Sequence, residues 1–123
     1  MEAFLAADHE GPVVMLNVLK FKDRATGEAS SGGSGSDAYA RYGADVTKLV
    51  EATGGRILYF GPVISTLIGT DDDDYDAVAL VEYPSRDAFI EMASSQSYSE
   101  VAKNRSAGLA YQLLLPTRPT ARE

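Results

Sequence analysis

The stretch GPVVMLNVLKFKD, residues 11–23, decides the fold. Pro12 precedes and Asp23 follows a run of β-branched and aliphatic residues, 13–22, that reads as a strand. Strand geometry sends alternate side chains to opposite faces. One face carries Val13, Met15, Asn17, Leu19 and Phe21; the other carries Val14, Leu16, Val18, Lys20 and Lys22. Both faces are largely apolar, and a carboxamide stands in the middle of one of them.

Working outward, residues 24–36 are rich in glycine and serine with no apolar period, and read as a flexible loop. A helix follows over 37–53, capped by Ser36 or Asp37, with Tyr39, Tyr42, Val46, Leu49 and Val50 on one face. Gly54 and Gly55 end it. A second strand starts at Arg56, bends at Gly61-Pro62 and continues to Gly69. Its proline places it at a sheet edge. The acidic run 71–74 reads as a hairpin loop before a third strand over 76–83. Ser85 caps a short helix carrying Ala88, Phe89, Met92 and Ala93; Ser94 and Ser95 break it. Ser97 and Glu100 have capping-box spacing for a second helical piece, with Tyr98, Val101, Ala102 and Arg105 on one face. A fourth strand spans 109–115, and residues 116–123 read as a tail after Pro116.

The order is β-α-β-β-α-β, the ferredoxin-like α+β arrangement, with a four-stranded antiparallel sheet and two helical regions on one face. Strands one and three are expected in the centre and strands two and four at the edges. Two helices cover one face of such a sheet. A free face ordinarily alternates apolar with polar residues, and here both faces are apolar, as Val78 and Leu80 oppose Ala77, Ala79 and Val81. The expected cover for the second face is a second copy of the chain, giving a homodimer of facing sheets.

At 123 residues the chain fits one domain, 1–123, able to bury roughly two thirds of its unfolded surface. A net charge of −7 leaves no positive footprint for nucleic acid or an anionic membrane. The lack of cysteine excludes disulfides and thiolate chemistry. With no leader-like start and no long apolar run, a soluble, cytoplasmic protein is expected. Phosphate loops, serine elbows and zinc-binding helices are absent from the sequence, so no cofactor is expected. The run 71–74 lacks the ligand spacing of a calcium loop, so no metal is expected there.

The stretch 11–23, with DAYARYGADV, GGRILYFGPV, DAVALVEYPSRDAFIEMASS and VAKNRSAGL, resembles a bacterial family of the dimeric α/β-barrel superfamily, domain of unknown function 1330. The resemblance spans about Phe4 to Leu115. It implies a dimeric barrel. It also implies relatives among cofactor-less monooxygenases, lactone isomerases and haem-degrading or haem-peroxidase enzymes, many with a ligand between sheet and helices. Some monooxygenase relatives carry an asparagine on the first strand. Haem-degrading ones pair it with tryptophan and histidine; here tryptophan is absent and the only histidine is His9.

Three residues form the candidate ligand pocket. Asn17 is a carboxamide on an apolar strand, explained either by a structural hydrogen bond or by a ligand. Arg105 extends an apolar helix stripe, either snorkelling at a helix C-terminus or clamping a carboxylate, enolate or phenolate. Tyr42 is either a core ring or a phenol facing the same pocket. Catalytic residues stay unassigned; Glu82 is the nearest candidate base by position. The readings left open are a cofactor-independent enzyme, monooxygenase- or isomerase-like, acting on a small aromatic or keto compound; a non-catalytic metabolite-binding protein; and a purely structural dimer.

Overall fold

The structure is a computed structural model and describes residues 11–27 and 33–120. His9 and the centre of the glycine-serine loop, 28–32, lie outside the described residues, as does the end of the expected tail, 121–123. The elements run β1 (Val13–Phe21), α1 (Gly35–Ala52), β2 (Arg56–Pro62), β3 (Ala77–Tyr83), α2 (Arg86–Ala93), α3 (Gln96–Gly108) and β4 (Leu109–Thr117). All strand pairs are antiparallel, in the order β2-β3-β1-β4. This is the ferredoxin-like arrangement, with β1 and β3 central.

The buried core shows which face the helices cover. Val13, Met15 and Leu19 of β1 and Ala77, Ala79 and Tyr83 of β3 are buried. Tyr39, Tyr42, Val46 and Val50 of α1, with Met92 of α2, close over them. Asn17 stands on this same helix-covered face. The opposite face carries Val14, Leu16, Val18, Val78 and Leu80, paired in register across β1 and β3. Tyr59, Tyr111, Leu113 and Leu115 extend it toward both edges, each 44–55% exposed.

Four expectations are corrected. The α1 cap is Ser34, whose hydroxyl accepts from the Asp37 N–H at 3.0 Å, so the helix starts before Ser36 and Asp37. The α3 cap is Ser95, not Ser97, with Tyr98 N–H donating to its hydroxyl at 3.1 Å. β2 stops at Pro62; beyond it a single ladder-like bond remains, Val63 N–H to the Asp76 carbonyl at 2.8 Å. β4 continues through Pro116 and Thr117, opposite Met15 and Val14. An edge strand tolerates the missing proline N–H, so Pro116 does not end it.

The acidic run has structural work in the β2–β3 loop. Asp73 accepts from the Thr70 N–H at 2.8 Å, and Asp74 pairs with Lys20 at 3.0 Å. The Tyr111 hydroxyl donates to the Asp74 carbonyl at 2.6 Å.

The close of the fold is a backbone crossing. Gly35 N–H donates to the Lys22 carbonyl at 3.0 Å, and Lys22 N–H to the Gly108 carbonyl at 2.8 Å. The start of α1, the residue after β1 and the end of α3 are thereby tied together.

Candidate functional site

α1 and α3 pack closely against one another on the covered side of the sheet. A cavity of about 760 Å³ lies between them and the covered sheet face. That volume is within the ordinary range for small-molecule sites. Its lining divides along its length. Toward β2, β3 and α2 it is apolar: Val50, Ile57, Val81, Tyr83, Phe89 and Met92. Ile57 and Phe60 are exposed as well as lining it, so it reaches solvent along β2. Toward β1, β4 and α3 it is polar, with Asn17, Tyr39, Tyr42, Tyr98, Arg105 and Gln112.

Periodicity delivers each polar group. Asn17 is two residues from Met15 and Leu19 on one strand face, and its β4 neighbour in register is Leu114. Gln112 lies opposite Leu19, on the same face of the adjacent strand. Arg105 is in the last turn of α3, where the helix dipole favours a cation. Tyr39 and Tyr42 stand on the sheet-facing side of α1, with ring centroids 5.2 Å apart.

These groups form a directed chain. An Arg105 guanidinium N–H donates to Gln112 Oε1. Gln112 Nε2 donates to Asn17 Oδ1 at 2.8 Å. Asn17 Nδ2 reaches the Met15 and Ala79 carbonyls only at 3.3 and 3.4 Å. Those lengths are at the weak end of the hydrogen-bond range. The Tyr42 and Tyr98 hydroxyls are 3.0 Å apart, so one proton is shared between them and one hydroxyl keeps its own to donate.

Burial pushes the Tyr39 phenol up to about 12, with the nearby Arg105 guanidinium opposing that rise. Tyr42 is also pushed up, first by burial and then by Tyr98 beside it, and again Arg105 opposes. Both phenols are therefore neutral hydrogen-bonding groups at physiological pH, not bases.

All three sequence-predicted residues, Asn17, Tyr42 and Arg105, line this one cavity. Glu82 does not: it is on the outer sheet face, paired with Arg56 at 3.0 Å. Among the described lining residues the one carboxylate is Asp76, which accepts from the Phe21 N–H at 2.8 Å and pairs with Lys20 at 3.4 Å. Gln112 is the member that sequence reasoning missed. Its signal was the same as that of Asn17: a carboxamide inside an apolar strand, LAYQLLL. Tyr98 was placed on the right helix face but not in the site.

The geometry can be set beside known proteins. No curated protein matches the chain. A protein of unknown function from Rhodopseudomonas palustris, RPA0582, is 36% identical, with 98% of this chain and 92% of that chain covered and a TM-score of 0.88. A dimeric ferredoxin-like protein of unknown function from Thermobifida fusca is 13% identical over 91% of this chain and 94% of that one, at a TM-score of 0.56. A putative antibiotic biosynthesis monooxygenase from Caulobacter crescentus is 12% identical over 91% of this chain and 92% of that one, at a TM-score of 0.54. The last two likenesses show the ferredoxin-like fold alone. The model of the domain of unknown function DUF1330 matches residues 34–117, and the chain belongs to that family.

Proposed function

We propose that the protein is a homodimer in which each subunit binds a small aromatic or keto compound in the cavity between sheet and helices. The observation that carries this reading is the cavity itself: about 760 Å³, apolar along most of its length, with hydrogen-bond donors gathered at one end. A purely structural dimer has no use for such a space, because well-packed cores leave few voids larger than a water molecule.

The donor-rich end suits polarisation of a carbonyl or stabilisation of an enolate or phenolate. An isomerase needs a positioned base, and the one carboxylate among the described residues lining the cavity, Asp76, is engaged by Lys20 and a backbone N–H. This favours a monooxygenase-like reaction over isomerisation: with no bound cofactor, an electron-rich substrate itself supplies the electrons that reduce dioxygen, one oxygen atom entering the product and the other leaving as water. The same lack of a free base among the described lining residues supports a second reading, a binding protein that releases its ligand unchanged. Oxygen uptake with candidate phenols separates the two.

The homodimer rests on the outer sheet face, whose apolar residues no element of the described chain covers. Contiguous exposed apolar patches on this scale mark interaction surfaces. The β2–β3 loop adds Ile64, Leu67 and Ile68, 94–99% exposed.

Filling the cavity tests the reading. Ala79 is 6% exposed and lines the cavity. Ala79→Leu is expected to abolish binding of small aromatic fragments by isothermal titration. Thermal stability should hold or rise, since filling a void adds about 0.5–2 kcal/mol. Unchanged fragment binding by this variant would place the binding elsewhere.

A further inference from the structure

Arg105 is the one cation among the described residues lining the cavity. It is half-buried. No carboxylate among the described residues pairs with it; the charged partners present go elsewhere, Asp76 to Lys20 and Glu82 to Arg56. Its hydrogen-bond partner is the carboxamide oxygen of Gln112, a neutral group. A guanidinium has five N–H donors in a fixed fork, so most of them are left for something else. A half-buried cation is ordinarily matched by an anion. Here the described residues supply none.

We infer that the ligand is an apolar monocarboxylate whose carboxylate sits on Arg105 and whose apolar body runs toward β2 and α2. This rests on the reading of the cavity as a ligand site. Three features fix the class. The charge is single, so one negative charge balances it. The other polar groups at this end are neutral: Asn17, Gln112 and the Tyr42–Tyr98 hydroxyl pair. They offer donors to a carboxylate's oxygens but no second cation, which argues against a phosphate dianion. The far end, lined by Val50, Ile57, Val81, Tyr83 and Met92, has no charged group to match a second charge, and its phenol, Tyr83, turns its hydroxyl to the Met92 sulfur. The cavity is therefore amphipathic from end to end, and so is its ligand.

Matched probe pairs test this on the intact protein. Phenylacetate and octanoate are each titrated against their primary amides, phenylacetamide and octanamide, which keep shape and lose charge. The expected result is tighter binding of each carboxylate by about tenfold or more, as for a hydrogen bond to a charged group. Arg105→Gln is expected to remove that discrimination, and Arg105→Lys to keep part of it. Equal binding of acid and amide by the native protein would overturn the inference and leave the cavity reading standing. Binding of neither, by a protein shown folded, would overturn both. The native probe pairs decide the matter even where the Arg105 variants fail to fold.

Discussion

Leu113→Asp is expected to be monomeric at concentrations where the proposed homodimer forms. Leu113 is on the outer face of β4, opposite Val18 and 44% exposed in the protomer, so the substitution leaves the helix-covered core untouched. In a dimer of facing sheets the same position is buried. The neighbouring cation on that face, Lys20, is already held by Asp74 and Asp76, and the other residues around the new carboxylate are Val14, Leu16, Val18, Val78 and Leu80. An unpaired buried charge costs about 3–5 kcal/mol. Two-fold symmetry places two of them in one interface. The combined penalty weakens association by about four orders of magnitude or more. Sedimentation velocity reads the oligomer, and circular dichroism confirms that the protomer keeps its secondary structure. A native-like dimer in this variant, or a native protein that is monomeric at micromolar concentration, contradicts burial of this face in a second copy.

Gly35→Ala is expected to destabilise the protein by about 3 kcal/mol or more. Helix propensity alone predicts the opposite, a gain of about 1 kcal/mol for alanine over glycine inside a helix. The crossing of chain segments decides the sign. A Cβ on Gly35 would lie 2.1 Å from the Lys22 carbonyl oxygen and 2.6 Å from that of Gly108. These are backbone atoms held by the hydrogen bonds that tie β1, α1 and α3 together, so neither can swing away. Gly43, in the same helix, is the internal control. A Cβ there meets nothing within 4 Å, so Gly43→Ala is expected to gain stability by the propensity difference, about 0.5–1 kcal/mol. Urea denaturation at one fixed protomer concentration measures both, since the stability of a dimer depends on concentration. Equal effects of the two substitutions would show that the crossing is looser than this geometry.

The contrast between these glycines also shows what the sequence could and could not convey. Strand order was legible, because right-handed crossovers in a β-α-β-β-α-β chain place β1 and β3 in the centre, and Pro62 agreed with β2 as an edge. The helix caps were not. The runs SSGGSGSD and SSQSYS each offer several serines with capping chemistry, and local propensity ranks them alike. Ser34 is selected because Gly35 must be the residue that passes between Lys22 and Gly108, a contact between segments far apart in sequence. The overextension of β2 has a similar cause. VISTLIG has strand-like composition, but β3 begins at Ala77 and only Val63 finds a partner beyond Pro62.

The polar end of the cavity was half legible. A carboxamide in an apolar strand flagged Asn17 at once, and an arginine on an apolar helix stripe flagged Arg105. Which residues meet was hidden, because it depends on register. Gln112 is joined to Asn17 by the β1–β4 pairing, offset across the sheet from its direct neighbour Leu19. The side of the sheet was hidden as well. Alternation placed Asn17 with Met15 and Leu19 but could not say whether helices or a second copy covered them.

The proposed ligand site is the space between sheet and helices. Methyl NMR of protein labelled at isoleucine, leucine, valine and methionine, titrated with octanoate and with small aromatic fragments, tests it most directly. Saturable shifts concentrated on Met15, Val46, Val50, Val81 and Met92, which line the cavity, are expected. Shifts confined to Leu113, Leu115, Leu67 and Ile68 on the outer surfaces, or no saturable shift at all, would contradict it.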